Sequence, residues 1–161
     1  MVAQELFTLL AGTWTGSGLG YYPTIPSFEY TEYLSVAYDP ARDLIHYEQR
    51  TDKRYADQAA TVPSHWESGF IRAIAPAMIE LTNAQSGGRL EVLTGNIAQV
   101  DDHWLIDMAS TQIANDPRVL QTRRRMAVRG TTLTYTMDMH TNRVDMLTAH
   151  LEATLQRREQ E

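Results

Sequence analysis

Five histidines are the residues best equipped for proton transfer or metal ligation in this chain: His46, His65, His103, His140 and His150. No two of them stand at helical or strand-neighbour spacing, so a metal site built from several imidazoles has little support. There is no cysteine, which excludes thiolate zinc sites, iron–sulfur clusters, disulfides and a cysteine nucleophile. The stretch Ser64-His65-Trp66-Glu67 brings together three residue types used in hydrolysis. On a strand, however, Ser64 and Trp66 face one way and His65 and Glu67 the other. That splits a serine–histidine pair and leaves His65 beside a carboxylate, as a positioned polar pair lining a cavity. Neither a nucleophile elbow nor a metalloprotease His-Glu pair occurs in the sequence.

Gly16-Ser17-Gly18-Leu19-Gly20 has the look of a phosphate loop. Such a loop needs a helix directly after the glycines, and Pro23 and Pro26 forbid one. The segment therefore reads as a strand whose small residues allow a bend or a close approach. Arg123-Arg124-Arg125 alternates between solvent and rim. Arg123 or Arg125 turned inward would anchor an anion through the guanidinium fork. The methionines at 78, 108, 126, 137, 139 and 146 read as core or cavity filler.

His150 is the most informative histidine. Leu147, Ala149, Leu151, Ala153 and Leu155 share one face of the last strand, and Met146, Thr148, His150, Glu152 and Thr154 the other. Strict alternation makes the Leu/Ala face the core and sends His150 to solvent. A lone histidine suffices only for a group such as haem, which needs one axial ligand and an apolar slot.

The elements that must position these residues are mostly strands. One helix is expected over Gln4–Leu10. Strands are expected over Gly12–Tyr22, Ser27–Tyr38, Leu44–Thr51, Ser64–Ile74, Met78–Asn83, Arg89–Val100, His103–Ile113, Val119–Val128, Thr132–His140 and Val144–Arg157. In the second strand Glu32 shares a face with Phe28, Tyr30, Leu34 and Val36. The connectors carry turn chemistry, as in Asp39-Pro40, Ser86-Gly87-Gly88, Asp101-Asp102, Asn115-Asp116-Pro117 and Arg129-Gly130; the one from Asp52 to Val62 looks long. About ten strands without alternating helices specify an all-β, antiparallel up-and-down β-barrel with a short N-terminal helix, lipocalin- or fatty-acid-binding-protein-like. Closure removes exposed edges, and a barrel of this strand number has room for a small ligand.

Composition narrows the classes further. At roughly 150 residues per domain, 161 residues make a single domain over 1–161. An apolar share of 43% is too high for disorder, and no run approaches the roughly 18 apolar residues of a membrane helix. Twenty acidic against 14 basic residues give a net charge of −6, which disfavours nucleic acid and anionic lipid as partners. Met1 to Gly12 carries Glu5 and no basic region, unlike a secretory signal, so the cytoplasm is the expected location.

Gly12-Thr13-Trp14-Thr15-Gly16-Ser17-Gly18, then Tyr22-Pro23-Thr24-Ile25 and Phe28-Glu29-Tyr30, resemble the opening of the nitrobindin family. Pro63 to Arg72, Leu133-Thr134-Tyr135 and His150-Leu151-Glu152-Ala153-Thr154-Leu155 agree in order, so the resemblance spans nearly the whole chain. It implies a ten-stranded barrel with haem b near its mouth and ferric iron held by His150. It further implies that Thr24 touches the haem from the opposite wall and that His65 lies on the distal side without coordinating. The implied activities are binding of nitric oxide and isomerisation of peroxynitrite to nitrate, with an apolar distal pocket of few donors. On this reading His150 turns inward, against the alternation. The Leu147/Leu151/Leu155 stripe must then be covered by the N-terminal helix or by a second subunit, in a homodimer. The rival is a metal-free carrier of an apolar or carboxylated small molecule, anchored by Arg123 or Arg125. A barrel serving only protein contacts is a third reading.

Overall fold

A computed structural model describes residues 2–160. The chain begins with helix α1 (Val2–Leu10) and continues through ten strands. These are β1 (Gly12–Tyr22), β2 (Ile25–Asp39), β3 (Leu44–Tyr55), β4 (Val62–Ala75), β5 (Met78–Gln85), β6 (Leu90–Val100), β7 (His103–Ala114), β8 (Val119–Arg129), β9 (Thr132–Thr141) and β10 (Thr148–Arg157). Each strand pairs antiparallel with its sequence neighbours, and β1 closes the ring against β10. The up-and-down barrel expected from the strand pattern is thus the fold. Because the meander alternates direction, the chain ends of β1, β3, β5, β7 and β9 gather at one end, which we call the mouth.

The other end is plugged. Ala3, Leu6, Phe7 and Leu10 recur at helical spacing, and all four are buried. They join Trp14, Ile45, Ile79, Leu93, Val128, Leu133 and Leu155 in one apolar cluster. The indole N–H of Trp14 donates to the Leu10 carbonyl at 2.9 Å, satisfying an acceptor that the helix end leaves unpaired. The Phe7 ring meets Tyr38 edge-on at 5.7 Å. Apolar burial therefore closes this end and leaves access to the interior at the mouth.

Glycines in β1 make room for aromatic rings of β2. A Cβ on Gly18 would stand 2.4 Å from the Tyr30 ring, and one on Gly20 would stand 2.1 Å from the Phe28 ring. These glycines face their aromatic partners across the β1–β2 pair. The small-residue strand expected for this segment is present, with rings where side chains would be.

The largest departures from the expected strand bounds fall at two connections. The β3–β4 connection spans only residues 56–61, because a register shift at Thr51/Asp52 keeps Asp52 and Lys53 paired with Pro63 and Val62. The last strand starts at Thr148 rather than Val144. Residues 142–147 form the connection at the mouth, where Met146 is exposed rather than core.

Candidate functional site

A cavity of about 360 Å³ runs from the mouth down to Leu6, Phe7 and Leu10 of the plug, at the lower end of the roughly 300–1,000 Å³ usual for small-molecule sites. His150 and Leu151 line it from β10 and His65 from β4, with Lys53 and Tyr55 from β3 and Phe28 from β2. A more open recess of about 860 Å³ lies largely along the outer wall around β10, β1 and β2 and includes no histidine. Chemistry is concentrated in the inner cavity.

His150 reaches the cavity through a fault in the strand. Ala149 pairs with Asp138 and Leu151 with Met137, so His150 is the extra residue of a β-bulge. Alternation restarts after it. Leu151 lines the cavity, Ala153 and Leu155 are buried beneath, and Ala149 is exposed. Both readings of this strand were therefore half right: Leu151, Ala153 and Leu155 face inward, and so does His150. Leu151 and Leu155 of the expected outer stripe thus lie inside the barrel, and Leu147 falls in the connection before β10. Leu155 meets the α1 side chains there, in the same apolar cluster.

The imidazole is held by backbone. Its Nδ1 lies 3.0 Å from the Tyr21 carbonyl oxygen, which can only accept, so Nδ1 carries the proton and Nε2 keeps its lone pair. The ring meets Tyr22 edge-on at 5.4 Å, and the Tyr22 hydroxyl donates to the Met139 carbonyl at 2.8 Å. Burial lowers the His150 pKa, the Tyr21 bond opposes that, and Arg89 and His65 reinforce it. The net result is a neutral ring with a lone pair available inside a cavity. The orienting acceptor is a main-chain oxygen, for which a sequence carries no side-chain signal.

His65 stands in a different setting. Its Nε2 lies 2.9 Å from Glu67 Oε1, the histidine–carboxylate pair expected from strand parity. Glu67 also accepts from Asn83 at 2.9 Å, from Arg124 Nη1 at 3.1 Å and from the Tyr47 hydroxyl. Burial alone would raise the Glu67 pKa, but Arg124, His65 and Tyr47 together hold it well below the usual carboxylate range. An ionised acceptor places the shared proton on His65 Nε2.

One wall of the cavity is ionic, which corrects the expectation of an apolar pocket with few donors. Buried Arg124 also faces Glu91 at 3.6 Å, and Glu91 accepts from Thr122 at 2.6 Å and from Arg89 at 3.2 Å. Glu32 accepts from Tyr135 at 2.5 Å and from Gln49 at 2.7 Å. Burial pushes its pKa up to about 7 against those two hydrogen bonds. The lone acid on an apolar strand face was the signal for Glu32.

The inward arginine is likewise corrected. It is Arg124, in step with Thr122, Met126 and Val128. Arg123 and Arg125 point outward to Asp107 and Asp138 at 2.6 and 2.9 Å. Neither of them anchors a ligand inside the inner cavity, and Arg124 is already shared between two carboxylates.

Thr24 lies exposed in the tight turn between Tyr22 and Ile25, and it is Ile25 that lines the cavity. Its hairpin adjoins β10, so the turn overhangs the His150 side of the mouth rather than facing it from the opposite wall. Among the described residues, no group of three or more acidic or histidine side chains is placed to hold a bare metal ion. Nor is any helix among them long and apolar enough to cross a membrane.

Comparison with known proteins agrees with this geometry. A family model described as the THAP4-like, heme-binding beta-barrel domain matches residues 4–157. A peroxynitrite isomerase of Nocardia farcinica is 37% identical over 151 residues, covering 92% of this chain and 86% of the relative. A protein of Arabidopsis thaliana, also named a peroxynitrite isomerase, is 36% identical over 146 residues, covering 91% and 83%. The crystal structure of Rv2717c from M. tuberculosis superimposes with a TM-score of 0.86 at 28% identity, covering 99% of each chain.

Proposed function

The chain belongs to the THAP4-like, heme-binding beta-barrel domain family, and from that membership we propose that it holds ferric haem b through His150 and isomerises peroxynitrite to nitrate. The observation that carries this reading is the His150 imidazole, tied at Nδ1 to the Tyr21 carbonyl and open at Nε2 within the cavity. Two relatives named as peroxynitrite isomerases support the choice of reaction. Bound there, haem would supply a ferric Lewis acid for the peroxide oxygen of peroxynitrite and a site for nitric oxide.

The chain's own contribution is positioning. The Tyr21 carbonyl sets the tautomer and raises the basicity of Nε2, as second-shell acceptors do for metal-bound histidines. Tyr22 buttresses the ring from the side. Ile25, Phe28, Met137 and Leu151 supply apolar surface around it and exclude water. His65, with its Nε2 proton directed to Glu67, stands as a distal residue that does not ligate. Thr24 contributes a rim contact to the porphyrin edge from the β1–β2 turn.

Hemin titration tests the assignment. Wild type is expected to give a sharp Soret band saturating at one equivalent, and His150→Ala to lower affinity by at least about 100-fold. Equal, weak binding by both proteins would hand the cavity to the metal-free carrier reading.

A further inference from the structure

The sequence contains a single lysine, Lys53, and the fold places it on the cavity wall at the mouth. A register shift just before it keeps it paired with Tyr30 on β2 and Val62 on β4. Its Nζ lies 5.4 Å from the Phe28 ring centroid and 5.2 Å from that of Tyr55. Both distances are within cation–π range. The two rings meet edge-on at 5.9 Å, and Phe28 itself lies against Gly20, where a Cβ would overlap it. The ammonium therefore rests on a preformed aromatic perch.

Charge accounting distinguishes Lys53 from the other cations of the cavity. Arg124 is paired with Glu67 and Glu91, and Arg89 with Glu91 and Asp116. Lys53 makes no ion pair or hydrogen bond among the described residues. An aromatic perch leaves the three N–H donors of an ammonium unspent. An unpaired cation at the rim, beside the apolar surface of Ile25, Phe28 and Leu151, suits a ligand whose body is apolar and whose edge carries a carboxylate.

We propose that Lys53 is the carboxylate anchor of this cavity, its ammonium binding a propionate at the exposed edge of the porphyrin. The proposal rests on the haem reading above but not on iron, so metal-free protoporphyrin IX is the probe. Binding is followed by porphyrin fluorescence, with circular dichroism confirming that each variant is folded. Wild type is expected to bind protoporphyrin IX saturably. Lys53→Met should weaken that binding about fivefold, the size of a modest ion pair, and Lys53→Arg should restore it. The dimethyl ester of protoporphyrin IX, which lacks the charges, should bind wild type and Lys53→Met equally.

His150→Ala should leave the Lys53 dependence intact, which separates this result from any failure of iron ligation. Loss of diacid and ester binding in parallel would reduce Lys53 to an apolar stem and overturn the proposal. So would unchanged diacid binding by Lys53→Met, or no saturable binding by wild type. Lys53 dependence for oleate but not for protoporphyrin IX would overturn it in favour of an acyl-chain carboxylate.

Discussion

Two walls of the same cavity hold a histidine each and treat the imidazole in opposite ways. On β10, His150 is anchored by a main-chain carbonyl and desolvated, so it is neutral with an open lone pair. On β4, His65 points its proton at Glu67, a buried carboxylate kept ionised by Arg124 and its hydrogen-bond donors. The first arrangement suits ligation, because nothing charged competes for Nε2. The second suits the holding or transfer of a proton, because the partner is an anion of fixed charge. Residue type therefore says little about role here; the group on the far side of the ring decides it.

The sharpest way to break this contrast is to unbalance the ionic wall. Arg124→Met would leave Glu67 and Glu91 buried without their shared cation, and is expected to cost about 3–5 kcal/mol of stability in urea denaturation at pH 7. His150→Ala removes one hydrogen bond to backbone and should cost about 1 kcal/mol in the same assay. Equal costs would mean that the two walls do not differ in electrostatic character.

Glu32 sharpens the contrast through pH. Its carboxyl titrates at about 7 in the fold against an ordinary 4.5, so the folded state holds the proton more tightly. That contribution is complete below about 4.5 and is lost as pH rises to about 7, a loss on the order of 3 kcal/mol. Glu32→Gln cannot titrate and should not show that loss. Urea midpoints of the two proteins should therefore diverge between pH 5 and pH 8, with the variant gaining relative to wild type. Parallel pH profiles would show that Glu32 is solvated in solution.

The smallest effect is expected at the rim. Thr24→Ala should leave stability and hemin affinity within about twofold, since the residue is exposed, while shifting the Soret position. An unshifted band would remove Thr24 from the site.

Much of the architecture could be read from local pattern, and the reasons are particular. Phe28, Tyr30, Glu32, Leu34 and Val36 alternate cleanly, so β2 and its inward acid were visible. Parity likewise put His65 and Glu67 on one face, and they do pair. The triple arginine misled because parity must be counted from a fixed point, and the register shift between Val119 and Gln121 hides it. The last strand misled for the same reason, since one extra residue reverses every face assignment before it.

By itself the sequence determined the number and order of strands, the short N-terminal helix, the absence of any thiol chemistry and the family. These follow from short-range periodicity, turn residues and composition. Tertiary structure alone decided which nitrogen of His150 is open, which arginine is inside, and that the sole lysine perches on two rings at the mouth. Each of those depends on where a bulge falls and on what a neighbouring strand, distant in the chain, offers across a few ångströms. No one-dimensional pattern carries that.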